Sequence, residues 1–140
     1  MTGKKEILIG ETLIRQQEAP KWIMEIFKEI DTLQFGNGFS HVTEQTVMQF
    51  GTATINGAQA IRQFFIKIDS PLEIEHRVHD FWDGGATKIL RGDAVLRKKG
   101  SNDQPITTPL MMIFYVDPGK SDELSRWFIV NGPIKTDAVI

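Results

Sequence analysis

Apolar residues recur along this chain with two different periods, and the change falls near its middle. In the first half the spacing is three to four residues. The segment APKWIMEIFKEID (residues 19–31) sets Trp22, Ile26 and Ile30 on one stripe with Ile23 and Phe27 beside it, while Lys21, Glu25, Lys28 and Glu29 fall elsewhere. That pattern predicts an amphipathic helix, and Pro20 suits its first turn. A second run, GAQAIRQFFIKID (57–69), stacks Ala58, Ile61, Phe65 and Ile68 and stops short of Pro71, predicting another helix. Between them QFGNGFSH (34–41) is interrupted by Gly36 and Gly38, which leaves room only for a short or kinked helix. TVMQFG (46–51) reads as a short strand.

From residue 73 the period becomes two. In EIEHRVHDFW (73–82) one parity holds Ile74, His76, Val78, Asp80 and Trp82, and the other holds Glu73, Glu75, Arg77, His79 and Phe81. The first set is mostly apolar and the second mostly charged, as in a half-buried strand. A helical stripe through Ile74, Val78 and Phe81 also exists, so periodicity alone leaves both open. The DGG at 83–85 favours the strand, because a further strand-like run, TKILRGDAVLRKKG (87–100), follows it directly. ITTPLMMIFYVD (106–117) and ELSRWFIVNG (123–132) come next, parted by the turn-rich PGKSD. Helices followed by an antiparallel run of strands predict an α+β domain with helices on one face of a sheet. There is no internal repeat, low-complexity segment or linker, so residues 1–140 read as one domain with its core at about 20–134.

One strand breaks the alternation. TPLMMIFYV is apolar on both parities, Pro109, Met111, Ile113 and Tyr115 on one and Leu110, Met112 and Phe114 on the other. A strand with a solvated face would alternate. Cover on both sides is therefore expected, and the preferred cover for the second side is another copy of the chain, giving a homodimer through the sheet.

Composition narrows the partners more than the fold. A chain of 140 residues suffices to bury a core unaided. A net charge of −2 gives no electrostatic reason to expect nucleic acid or a membrane surface as partner. There is no cysteine, which removes disulfides, thiolate nucleophiles and cysteine-held metal. The first apolar run spans only Ile7–Ile9, too short for a secretory leader or a membrane span, so the default expectation is a cytoplasmic protein.

His76 and His79 raise the question of a metal. On a strand they point to opposite faces, and His41 is the only other histidine, so no metal site is expected. His76, among Ile74, Val78 and Trp82, is either an ordinary core histidine or a group able to pass a proton near neutral pH. From the residues alone, Asp31 reads as a helix-end or turn residue. Arg91 and Asp93 share a parity with Ile89 and Val95, while Leu90, Gly92, Ala94 and Leu96 form the other; the residues alone put the second set inward and leave Arg91 and Asp93 in water.

In order, the helix ending in EID, then VMQFGTATINGAQAIRQFF, LEIEH, LRGDAVLRKKG, ITTPLMMIFYV and RWFIVNGPI resemble the nuclear-transport-factor-2-like superfamily, especially its SnoaL-like polyketide cyclase and ketosteroid isomerase-like branch. The resemblance runs from about Trp22 to Ile134. It implies a cone, in which a curved antiparallel sheet wraps a long helix around a cavity open at one end. Members include dehydratases, isomerases, epoxide hydrolases, cyclases and binders without catalysis, so it implies a fold more sharply than a function.

Two enzyme members add residue-level expectations. By resemblance to scytalone dehydratase, its strand histidine falls on His76 and an aspartate near the end of its first helix falls on Asp31. Two of its tyrosines fall on Ile30 and Phe50, and its other catalytic histidine has no counterpart. By resemblance to limonene epoxide hydrolase, an arginine and an aspartate match Arg91 and Asp93, a second aspartate falls on Asn131, and a tyrosine and an asparagine fall on Met48 and Phe50. This second comparison turns Arg91 and Asp93 into the cavity, against the parity argument.

The reading that results is a small-molecule isomerase, dehydratase or cyclase using acid–base chemistry on an apolar carbonyl-containing substrate, with no cofactor and no metal. His76 is its general base or acid, Asp31 or Asp93 orients it or shares its proton, and Arg91 steadies negative charge on oxygen. Asn131 donates a hydrogen bond to the substrate, and Trp127, Phe50, Met48, Trp82 and Met111 line the cavity. Two alternatives stay open: a non-catalytic binder of a small hydrophobic ligand, and a dimeric protein-interaction module. Catalysis expects His76 within hydrogen-bond reach of a carboxylate; a binder expects these groups apart; a module expects the cavity filled by its own side chains.

Overall fold

The computed structural model describes residues 12–132; the apolar run Ile7–Ile9 and Ile134, where the resemblance ends, lie outside them. Pro20, extended at ψ 156°, stands just before helix α1 (Lys21–Thr32), and Leu33 ends it in the left-handed region at φ 57°. Helix α2 (Ala58–Asp69) follows Gly57, whose φ of 91° starts the helix without strain. Both helices fall where the three-to-four spacing predicts them. A 3₁₀ turn, Gly38–His41, occupies the glycine-broken segment between them.

Seven strands make one sheet: β1 (Ile14–Gln16), β2 (Val42–Phe50), β3 (Ala53–Asn56), β4 (Leu72–Asp83), β5 (Thr87–Lys98), β6 (Ile106–Asp117) and β7 (Glu123–Asn131). Their spatial order is β1-β4-β5-β6-β7-β2-β3, antiparallel except where β2 runs parallel to β7. The fold is therefore α+β, with an open curved sheet around two helices. The short strand expected at 46–51 is longer than its apolar pattern, and β1 and β3 lie in stretches too short or too polar to announce themselves. No helix among the described residues is long and apolar enough to cross a membrane.

Ile23, Ile26 and Ile30 of α1 pack on Leu90, Met112, Phe114, Trp127 and Ile129 from the sheet. Phe114 and Trp127 stack at 5.7 Å between ring centroids, at the centre of this layer. Glu29 departs from the expectation of a polar helix face. It is buried, and its carboxylate accepts the backbone N–H groups of Gly38 (2.7 Å) and Phe39 (2.9 Å), which ties the 3₁₀ turn to α1.

Of the register shifts in the described sheet, the one in β4 bears on the site. The register of β4 against β5 slips between Val78 and Asp80, leaving His79 as the extra residue of a bulge. Ahead of the bulge Ile74, His76 and Val78 face the helices; beyond it Phe81 takes the inward side and is buried in the core. Asp80 and Trp82 are thereby turned to the outer face, against the single parity read from the sequence. Gly92 sits opposite Val78 beside this bulge, and a Cβ there would run into the Arg77 carbonyl.

Candidate active site

A cavity of about 410 Å³ lies between the inner face of the sheet and the last turns of both helices. Its walls are mainly apolar, with Phe50, Phe65, Leu72, Ile74, Met112 and Ile129 among them. Three polar side chains interrupt this surface: His76 from β4, Asp69 from the end of α2 and Asn131 from the end of β7. None of the described lining residues is a lysine or arginine.

His76 does not stand alone. Its Nδ1 lies 2.6 Å from Oδ1 of Asp31, and its backbone N–H donates to Asp31 Oδ2 at 3.3 Å. One carboxylate in the last turn of α1 thus fixes both the ring and the strand that carries it. The His76 side chain is 6% exposed, and the ring of Phe27 packs on it at 5.1 Å. With Asp31 ionised, Nδ1 carries the proton and Nε2 presents a lone pair. Among the described residues no hydrogen bond occupies Nε2.

Asp69 is the cavity-lining carboxylate that the sequence reading missed. It is 7% exposed, lines the cavity, and makes no hydrogen bond or ion pair with any described residue. Burial pushes its carboxyl up from 3.8 to about 6, with positive charge on His76 acting against the rise and Asp31 adding to it. A signal for it exists in the chain: Ile61, Phe65 and Asp69 follow one another at steps of four, so the inward stripe of α2 ends on a carboxylate.

Asn131 lines the cavity as expected, with Thr108 donating its hydroxyl to Oδ1 at 2.5 Å. This contact orients the amide and leaves its NH₂ group as a donor. Phe50 also lines the cavity. The other expected liners do not. Met48 and Trp127 are fully buried in the core instead; the Trp127 ring lies among Phe39, Phe65 and Phe114, its Nε1 without a partner among the described residues. Met111 points outward from β6, 43% exposed, and the bulge carries Trp82 to the outer face.

Arg91 and Asp93 are also outside the cavity. Leu90, Gly92, Ala94 and Leu96 take the inward side of β5, as the plain parity argument expects and the epoxide-hydrolase comparison does not. Arg91 binds Asp80 through Nε (2.7 Å) and a terminal nitrogen (2.6 Å), and Arg15 binds the same carboxylate at 2.7 Å. The hydrogen bonds from Arg15 and Arg91 hold the Asp80 carboxyl below its usual range. Asp93 pairs with His79 at 2.6 Å on this same outer face, so His76 and His79 do lie on opposite sides of the sheet.

No model of a protein family matches the chain, and neither does any curated protein. Solved structures do match. A protein from Shewanella denitrificans assigned to the SnoaL-like polyketide cyclases superposes with a TM-score of 0.68 at 13% identity, covering 79% of this chain and 88% of that one. An epoxide hydrolase of the limonene type from Mycobacterium tuberculosis gives 0.64 at 13%, covering 79% and 80%. A Catenulispora acidiphila protein with a ketosteroid isomerase-like fold, solved with trimethylamine, gives 0.65 at 11%, covering 80% and 85%. The chain has the nuclear-transport-factor-2-like fold. Within that fold the cavity under the curved sheet holds three polar side chains of this chain, His76, Asp69 and Asn131.

Proposed function

We propose that this nuclear-transport-factor-2-like protein is a small-molecule enzyme that moves a proton next to a carbonyl group, in the class of isomerisation, dehydration or cyclisation. The observation that carries this reading is the 2.6 Å bond between His76 and Asp31 at the wall of an apolar cavity. Neutral His76 takes a proton from carbon through Nε2, and the Asp31 carboxylate stabilises the imidazolium that forms. The Asn131 NH₂ group, held in orientation by Thr108, donates to the carbonyl oxygen as negative charge gathers there. His76 then returns the proton to another carbon or to a departing hydroxyl, which completes an isomerisation or a dehydration. An apolar surround strengthens each of these contacts by excluding water.

Native mass spectrometry of the purified protein tests the reading first, by identifying a co-purified carbonyl compound of a size that 410 Å³ admits. With that compound as substrate, His76→Ala is expected to lower turnover on the order of 10²- to 10⁴-fold. Unchanged turnover would remove His76 as the base and the reading with it.

We propose also that a second copy covers the outer face of β6 and β7. Support comes from Met111 (43% exposed) and Val130 (62% exposed), neighbours across the two strands on that face, with Ile106 exposed further along β6.

A further inference from the structure

We infer that the cavity takes a ligand whose apolar body carries a basic nitrogen, held as the ammonium by Asp69. The inference uses the same cavity as the acid–base reading but does not depend on turnover. Four observations converge on it. Asp69 is more than nine-tenths buried, borders the cavity and has no hydrogen-bond or ion-pair partner among the described residues. A carboxyl group placed so is costly unless something supplies a donor, and the cavity it borders is where a donor can come from.

The charge inventory selects the donor. The titratable side chains at the cavity are Asp69 and His76, with Asp31 behind the imidazole, and no described lining residue is a lysine or arginine. Two carboxyl groups and one imidazole disfavour an anionic ligand. The helices act in the same direction. Ile30 and Asp31 lie in the last turn of α1, and Asp69 is the last residue of α2, so the carbonyl ends of both helices add negative potential at the cavity. An acidic residue at a helix C-terminus opposes the dipole and is normally replaced there by a basic one; a bound cation satisfies both.

The aromatic rings complete the site. Phe50 and Phe65 line the same cavity, with ring centroids 6.4 Å apart, and an aromatic ring attracts an alkylated ammonium that has lost its water. A carboxylate and phenyl rings lining one cavity suit a secondary or tertiary amine better than a hydrated primary one. The carbonyl group that His76 and Asn131 would address then lies on the same molecule as the nitrogen.

Three probes sharing one tail test this by calorimetric titration at pH 7.5, above the Asp69 pKa of about 6: N,N-dimethylphenethylamine, benzylacetone and 3-phenylpropanoate. The amine is expected to bind about ten-fold or more tighter than the ketone, and the carboxylate is expected to bind weakest. Asp69→Asn is expected to bring the amine to within about two-fold of the ketone. Equal binding of amine and ketone by the wild-type protein overturns the inference, as does an amine preference that survives Asp69→Asn. Failure of all three probes to bind at millimolar concentration overturns it as well. None of these readouts involves turnover, so they separate this inference from the role assigned to His76.

Discussion

Asp31 grips His76 twice, at the ring and at the backbone N–H, across 45 positions of sequence. The consequence is a fixed tautomer. Long-range nitrogen–proton correlation spectra of the wild-type imidazole are expected to show Nδ1 protonated and Nε2 bare. Asp31→Ala removes the acceptor and is expected to shift the ring towards the Nε2-protonated form, which cannot accept a proton there. Turnover of the identified substrate should fall on the order of 10²-fold. An Nε2-protonated ring in the wild-type protein would contradict the assigned geometry.

Asp69 gives the fold a pH dependence of definite sign. Its folded pKa of about 6 lies above the usual 3.8, so the folded state holds this proton more tightly than the unfolded chain does. The group therefore favours folding fully below about pH 4, and that contribution is lost as the pH rises through about 6. Asp69→Asn removes the ionised form. Its gain over wild type is expected to be near zero at pH 4 and up to about 3 kcal/mol at pH 7.5. Urea titrations at the two pH values measure it, and a gain that does not change with pH would show that Asp69 is not the group responsible.

The outward placement of Arg91 and Asp93 separates two chemistries. If this pair worked as its counterparts do in limonene epoxide hydrolase, neutralising either residue would abolish activity. On the outer face they are salt-bridged to Asp80 and His79 in contact with water. Arg91→Gln and Asp93→Asn are each expected to change stability by no more than about 1 kcal/mol, and turnover by less than about two-fold. Loss of turnover in either variant would return the pair to the site.

How much of this was legible beforehand depended on whether the signal was local. Helix α1, helix α2 and strands β4, β5 and β7 followed from spacing, because one face of each is largely buried and the other wetter, while β6 followed from its apolar run between turn signals. His76 and Asp31 were found through the resemblance, since nothing local joins residues 45 apart. Three things resisted. The bulge at His79 inserts one residue into β4 and inverts the parity of Asp80, Phe81 and Trp82, and no composition cue marks it. Asp69 reads as an ordinary polar helix end until the step of four from Phe65 is followed. Arg91 and Asp93 show the opposite error, where the residues alone pointed outward and the analogy with an enzyme pointed in.

Gly92 is expected to be the least replaceable glycine of the sheet. Opposite Val78, beside the bulge, it allows β4 and β5 to approach more closely than a Cβ permits, and the obstruction is the Arg77 backbone rather than a flexible side chain. Gly92→Ala must push the strands apart at the one place where β4 changes its face. The expected cost is roughly 1–3 kcal/mol, read as a lower urea midpoint. Because His76 lies one inward position from Val78, the imidazole should move with the strand, and turnover should fall together with stability.

The two-sided apolar character of β6 yields the last expectation. Leu110, Met112 and Phe114 face the core, whereas Met111 and its neighbour Val130 on β7 face outward and remain exposed in the single chain. A patch of this kind is a normal substrate for self-association, and a two-fold interface needs only that the same face meet itself. Sedimentation velocity is expected to give a dimer for the wild-type protein. Met111→Glu places like charges against each other across such an interface and is expected to give a monomer with unchanged helix and strand content by circular dichroism. A monomeric wild-type protein, or a dimer indifferent to Met111→Glu, would mean that the outer face of β6 is covered by something other than its own copy.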